Sequence, residues 1–251
     1  MKFLTFALII VFVNNLSASC PSDPAEWCLN IENAKSCNIV KQCWENVWSI
    51  KRRQSDQIEY TGLVNLTLYY ETLCPDCKNF MSSQILNAFL TVKDIMNLTL
   101  VPYGNAKETW RNETKLWQFE CQHGSDECWG NLLHTCVIYS KPKTDDHLPF
   151  ILCMEGNNVD DIQTSATKCG LKYNVSIDEM EKCMFSRLGN GLQHEMAAKT
   201  EILNPPHKYV PWITLNGEHT DEIQKQAENN LVDLICKTYK GTKKPEACNQ
   251  K

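Results

Sequence analysis

The run LVNLTLYYETLCPDCKNF (residues 63–80) decides how this chain is read. Its first half alternates, with Val64, Leu66, Leu68 and Tyr70 on one side and Asn65, Thr67 and Tyr69 on the other, the period-2 pattern of a half-buried strand. Beyond Cys74-Pro75-Asp76-Cys77, the residues Met81, Ile85, Ala88, Phe89 and Val92 recur at helical spacing and predict one buried stripe. NLTLVPYG (97–104) then reads as a second strand. Strand, helix and strand in so short a span make a βαβ unit, which favours parallel pairing.

A cysteine pair at a strand-to-helix junction has a chemical use. The first thiol lies near the helix amino terminus, where free N–H groups and the helix dipole stabilise a thiolate. The second, one turn on, can attack a mixed disulfide formed by the first. Cys74 is therefore expected to be the attacking, more exposed thiol and Cys77 the resolving one. Pro75 suits the first helical turn, which asks no N–H of it. Asp76 favours the helix but opposes a thiolate beside it, a penalty that protonation in an acidic medium would reduce. The competing readings are a zinc knuckle and a permanent staple. A knuckle requires a partner pair, and the sequence has no second Cys-x-x-Cys. A bridge across so small a loop stabilises little by chain entropy.

The rest of the chain sets the compartment. Residues 1–19, MKFLTFALIIVFVNNLSAS, carry an early Lys2, an apolar run from Phe3 to Val13, then small and polar residues. A membrane anchor needs roughly 20 apolar residues, so this shorter run fits a secretory signal cut before Cys20, with Ser17 and Ser19 as the small residues. No later stretch is long and apolar enough to span a membrane. Asn65, Asn97, Asn112 and Asn174 each head a glycosylation sequon, in keeping with passage through the secretory route. All fourteen cysteines follow the expected cut, and in an oxidising compartment such a set predicts disulfides. With 25 Lys and Arg against 30 Asp and Glu, there is no positive field for nucleic acid.

Residues 20–49 form a small module with Cys20, Cys28, Cys37 and Cys43, too short to fold on a hydrophobic core without bridges. Its WC…A.SC.IV..C...VW pattern resembles the saposin A-type arm, which implies possible lipid or partner contact. Residues 50–63 read as a polar linker, with Lys51-Arg52-Arg53 a solvated basic patch. Late in the chain YVPWITLNGEH predicts a strand at 212–215 closed by an Asn216-Gly217 turn. The helix after it buries Ile223, Ala227, Leu231, Leu234 and Ile235. Between 105 and 205 short helical patterns prevail, with no clear strand alternation.

The second constellation is CQHGSDECWGNLLHTC (121–136). Its three cysteines, with His123 and His134, could make a zinc site on paper, but the compartment favours disulfides. Cys121, Gln122, His123, Gly124, Glu127, Cys128, Asn131 and Cys136 match, position for position, the signature of the gamma-interferon-inducible lysosomal thiol reductases. LYYETLCPDC upstream and YVPWITLNG downstream are similar to that family in the same order. The resemblance covers residues 64 to about 240, leaving the saposin-like arm outside it and 241–251 as a tail.

The resemblance implies an α/β, thioredoxin-like fold with a helical, disulfide-rich insertion. It implies reduction of protein disulfides in acidic endosomes and lysosomes, with Cys74 and Cys77 as the active pair. It requires no metal or organic cofactor, and a small thiol such as free cysteine serves as reductant. Pro211 occupies the place of the cis-proline that faces the redox pair in such folds. Cys121, Cys128 and Cys136 look structural by analogy, and His123 is a hydrogen-bonded residue rather than a base. Two rivals stand beside this reading. One is a non-catalytic, secreted, disulfide-rich glycoprotein that binds lipid or a partner through its saposin-like arm. The other is a secretory-pathway oxidase or isomerase, although the terminus EACNQK shows no retrieval tetrapeptide.

Overall fold

The computed structural model describes Cys20, Ser22 and residues 36–38, 62–156 and 161–249. The chain divides into two compact units, Met1–Thr61 and Gly62–Lys251. In the first, a Cys20–Cys37 disulfide spans a separation of 17 residues. The expected signal segment, Cys28, Cys43 and the Lys51-Arg52-Arg53 patch lie outside the described residues.

In the second unit, strand β1 (Val64–Tyr70) forms on the alternating run. Both its edges are paired, in parallel by β2 (Met96–Pro102) and antiparallel by β5 (Trp212–Leu215). A central strand must cover its apolar face, and Leu66, Leu68 and Tyr70 are wholly buried. The crossover begins at Pro75 in the first position of α1 (Pro75–Phe80), widens through a π-helical turn (Met81–Ile85), and continues as α2 (Leu86–Val92). Met81, Ile85, Ala88 and Val92 enter the core as the spacing predicts, and Phe89 is half-buried at its margin.

One element departs from expectation. Residues 107–120 form a hairpin of β3 (Lys107–Arg111) and β4 (Leu116–Glu120). Its side chains are mostly exposed or half-exposed on both faces, so no apolar alternation marks the strands in sequence. Helices follow: α3 (Ser125–Ser140), α4 (Thr144–Gly156), α5 (Ile162–Tyr173), α6 (Ile177–Met184) and α7 (Arg187–Glu201). Disulfide Cys121–Cys128 closes the approach to α3, Cys136–Cys183 ties α3 to α6, and Cys153–Cys169 ties α4 to α5.

The chain then returns to β5, turns at Asn216-Gly217 with φ of 52° and 83°, and ends in α8 (Asp221–Thr238). Ala227, Leu231, Leu234 and Ile235 are buried there, Ile223 is half-buried, and Cys236–Cys248 fastens the tail. A parallel βαβ unit widened by an antiparallel strand and backed by a final helix is a thioredoxin-like arrangement. The hairpin and five helices are inserted between β2 and β5.

Candidate active site

Among the described residues Cys74 and Cys77 are free of disulfides. Cys74 caps α1: its backbone is extended and its Sγ accepts the Cys77 N–H at 3.2 Å. That places the sulfur where the helix leaves its N–H groups unpaired. The Cys74 thiol is lowered from 9.0 to about 7, first by its hydrogen bond with the Cys77 side chain and then by backbone N–H groups of Cys77 and Asp76. Burial and the Glu71 carboxylate work against that shift. The opposing acid is thus Glu71 rather than the expected Asp76, which contributes its amide. Burial, followed by the hydrogen bond to Cys74, pushes the Cys77 thiol far above its ordinary value. The pair holds one proton on Cys77 and offers charge at Cys74.

The expectation of an openly exposed Cys74 needs correction. Cys74 is the more accessible of the two, but it is only 6% exposed against 0% for Cys77. The cover is the segment before β5, where the Val210 carbonyl lies 3.8 Å from Cys74 Sγ and the Val210–Pro211 peptide is cis. Gln224 fastens that segment, donating to Pro211 O at 2.9 Å and accepting from Ile213 N at 3.1 Å. A groove lined by Asp76, Asn79, Phe80, Tyr209, Pro211 and Glu228 opens alongside.

Helix α3 meets the loop between β1 and α1 from the other side. Asn131 Oδ1 accepts the Thr72 N–H at 2.9 Å, the Glu127 carbonyl accepts from Thr72 Oγ1 at 3.2 Å, and Asn131 Nδ2 donates to Tyr103 O at 3.4 Å. Gly130 lets the helix approach: a Cβ there would sit 2.5 Å from both Thr72 Oγ1 and Ile162 Cδ1. These hydrogen bonds fix the backbone just ahead of Cys74.

The remaining signature residues join a polar set beside the same loop. His123 Nδ1 bonds the Glu127 carboxylate, and the His123 N–H donates to Glu127 Oε1 at 3.2 Å. The Glu71 carboxylate lies 3.5 Å from the same Nδ1 and accepts the Asn105 N–H at 2.8 Å; Asn105 Nδ2 in turn donates to Gln122 Oε1 at 2.7 Å. Both carboxylates are buried, while the His123 side chain is 34% exposed. Burial raises the Glu71 carboxyl above its ordinary range, with Glu127 adding to the rise and the Asn105 N–H and His123 opposing it. Burial disfavours the charged His123 ring, yet Glu127 and Glu71 together leave it above its ordinary value. The donor atoms of Glu71, His123 and Glu127 fall within 4.8 Å of one another, close enough for a cation. Each side chain already has a partner in the set, the pattern of a hydrogen-bonded relay.

The zinc set conceivable from sequence is not assembled. Cys121, Cys128 and Cys136 are in disulfides, and His134 is buried with Nδ1 3.0 Å from Tyr70 Oη. Of the sequons, Asn65, Asn97, Asn112 and Asn174 are all exposed, and Asn97 Nδ2 donates to Asn65 Oδ1 on the adjacent strand at 2.9 Å. Glu71, Thr72, Gly130, Val210 and Gln224 had no signal in the sequence, because each matters through a residue remote in the chain.

A charged sulfur at a helix mouth and a protonated sulfur one turn on, carried on a thioredoxin-like sheet, define a thiol–disulfide oxidoreductase. The family profile described as "Gamma interferon inducible lysosomal thiol reductase (GILT)" matches residues 65–173, and that of the saposin A-type domain matches residues 17–49. The gamma-interferon-inducible lysosomal thiol reductase of Carassius auratus is 42% identical over 243 residues, covering 96% of this chain and 87% of that protein. That of Mus musculus is 38% identical over 188 residues, covering 74% and 72%. The chain belongs to the gamma-interferon-inducible lysosomal thiol reductase family and is a disulfide-reducing enzyme. The solved oxidoreductase DsbA of Xylella fastidiosa aligns over 71% of this chain and 88% of that one at 13% identity and a TM-score of 0.45, a likeness too remote to build on.

Proposed function

We propose that this chain reduces disulfides of protein substrates in acidic endosomes and lysosomes, with Cys74 attacking and Cys77 resolving. The Cys74 thiolate attacks one sulfur of a substrate disulfide; the S–S bond breaks and the other substrate sulfur leaves as a thiolate that takes up a proton. Cys77 then gives up its proton and its sulfur attacks Cys74. The first substrate sulfur departs, two electrons have passed to the substrate, and Cys74–Cys77 is a disulfide. Two molecules of a small thiol such as cysteine restore the pair and become a disulfide themselves. Pro211 faces the pair from the segment that carries the Val210 carbonyl.

The observation that carries this reading is the asymmetry of the pair: Cys74 Sγ accepts the Cys77 N–H at the mouth of α1. Insulin reduction at acidic and neutral pH tests it. Cys74→Ser is expected to abolish turnover, and Cys77→Ser to accumulate enzyme covalently joined to substrate. Full turnover by the Cys74→Ser protein would falsify the assignment.

The saposin A-type match at 17–49 favours a second, separate role, contact with lipid or a partner through residues 20–49. Sedimentation with anionic vesicles, lost when 20–49 is deleted and the pair left active, is the expected result. Passage through the secretory route predicts glycans at Asn65, Asn97, Asn112 and Asn174, read as a mass loss on enzymatic deglycosylation.

A further inference from the structure

The thiol exchange leaves Glu71, His123 and Glu127 without a part. Two buried carboxylates around one imidazole make a set whose charge depends on protons. With the ring neutral it holds two negative charges, with the ring protonated one, and with one carboxyl also protonated none. The set therefore sheds negative charge as the pH falls.

Its position ties that charge to the reacting sulfur. Glu71 precedes Cys74 by three residues, which bounds the distance between their Cα atoms at about 11 Å. Glu127 and Asn131 hold the intervening Thr72 from α3, so the loop that carries Glu71 and Cys74 is braced against the helix that carries Glu127. From α4, Glu155 also acts on Cys74, its carboxylate and the thiolate opposing one another, while Asp76 on α1 reaches it through its backbone N–H.

We propose that Glu71, His123 and Glu127 form a proton-collecting set that keeps the Cys74 sulfur charged and nucleophilic as its surroundings acidify. They are positioning residues, each acting through Cys74. The sign follows from the pairwise charges. The Glu71 carboxylate opposes the Cys74 thiolate, whereas imidazolium at His123 and that thiolate favour one another. Each proton taken up thus makes the thiolate easier to keep while the medium makes it harder. One charge removed at such a distance changes the thiolate population by roughly three- to tenfold.

The inference rests on Cys74 being the attacking thiol of the reductase, but it can be read without turnover. The full-length, reduced protein is alkylated with iodoacetamide between pH 4.5 and 8, and modification of Cys74 is followed by mass spectrometry. In the wild type the rate is expected to fall by less than tenfold per pH unit below neutrality. Glu71→Gln should react roughly three- to tenfold faster near pH 6, an advantage that shrinks as the pH falls and Glu71, raised by burial, takes up its own proton. His123→Gln should react more slowly by a similar factor near pH 6 and converge with the wild type at pH 8. Near-ultraviolet circular dichroism verifies folding; should Glu71→Gln not fold, His123→Gln decides, since that side chain is one-third exposed. Parallel profiles for the wild type and the folded variants overturn the proposal, as does a flattening that disappears only in Glu155→Gln. Separated profiles without insulin reduction would refute the reductase reading and leave the set standing.

Discussion

Cys74 and Cys77 are the same side chain in two surroundings, and the difference between them is enough for chemistry. Cys74 collects N–H groups at the start of α1, while Cys77 is sealed in the core without exposure. In the reduced protein iodoacetamide should modify Cys74 with a pH midpoint near 7 and leave Cys77 unlabelled until the protein unfolds. A midpoint near the ordinary 9.0 would refute the role given to the helix mouth. Both cysteines were legible in the sequence, since Cys-x-x-Cys between a strand pattern and a helix pattern is a local arrangement. Glu71 was not: a carboxylate ahead of that motif looks like an ordinary solvated residue until Gly104, at a φ of 63°, and Asn105 are seen packed against it.

At the scale of elements, the site depends on α3 pressing against the loop ahead of α1. Asn131→Ala leaves the buried Thr72 N–H without its acceptor, which should cost roughly 1–3 kcal/mol in a urea titration. The same variant should slow insulin reduction while the Cys74 midpoint stays near 7, because the Cys77 side-chain hydrogen bond and the α1 amides that lower it are untouched. Unchanged stability would mean that α3 does not brace the loop. Helix α3 is anchored in turn by Cys136–Cys183, a separation of 47 residues. On chain entropy, opening that loop with paired Cys→Ala substitutions should cost about 4 kcal/mol, more than the roughly 3 kcal/mol for Cys153–Cys169. A reversed order in denaturant unfolding would contradict it. The βαβ unit and the late helix were readable from periodicity, and the late strand from the Asn216-Gly217 turn that closes it. The hairpin at 107–120 was hidden because a strand exposed on both faces writes no alternation.

For the molecule as a whole, acid acts in two directions. Burial lowers the His134 ring from 6.5 to about 3, so the folded chain refuses a proton that the unfolded chain accepts. Its contribution to stability is present above pH 6.5 and is lost as the pH falls toward 3. Burial raises the Glu155 and Glu71 carboxyls, so for them folding is penalised near neutrality and favoured as the pH drops toward 4.5. Glu155 is fully buried on α4, and its Oε2 has no hydrogen-bond partner among the described residues. Glu155→Gln should therefore raise the melting temperature at pH 7.5 by a few degrees, with the gain fading by pH 4.5. An equal gain at both pH values would show that Glu155 carries no buried charge.

What the residues settled unaided was everything carried by short-range pattern: a strand, a Cys-x-x-Cys pair at the head of a helix, a second strand paired in parallel, and the signature spacing from Cys121 to Cys136. Period and spacing are properties of the local backbone, so they survive without a fold. The folded chain alone decided which cysteines join, since an even count permits many pairings. It also decided which carbonyl covers Cys74, from 136 residues away, and which acids surround His123. Those outcomes depend on burial and on charge in a poorly polarisable interior, and neither exists until the layers have closed.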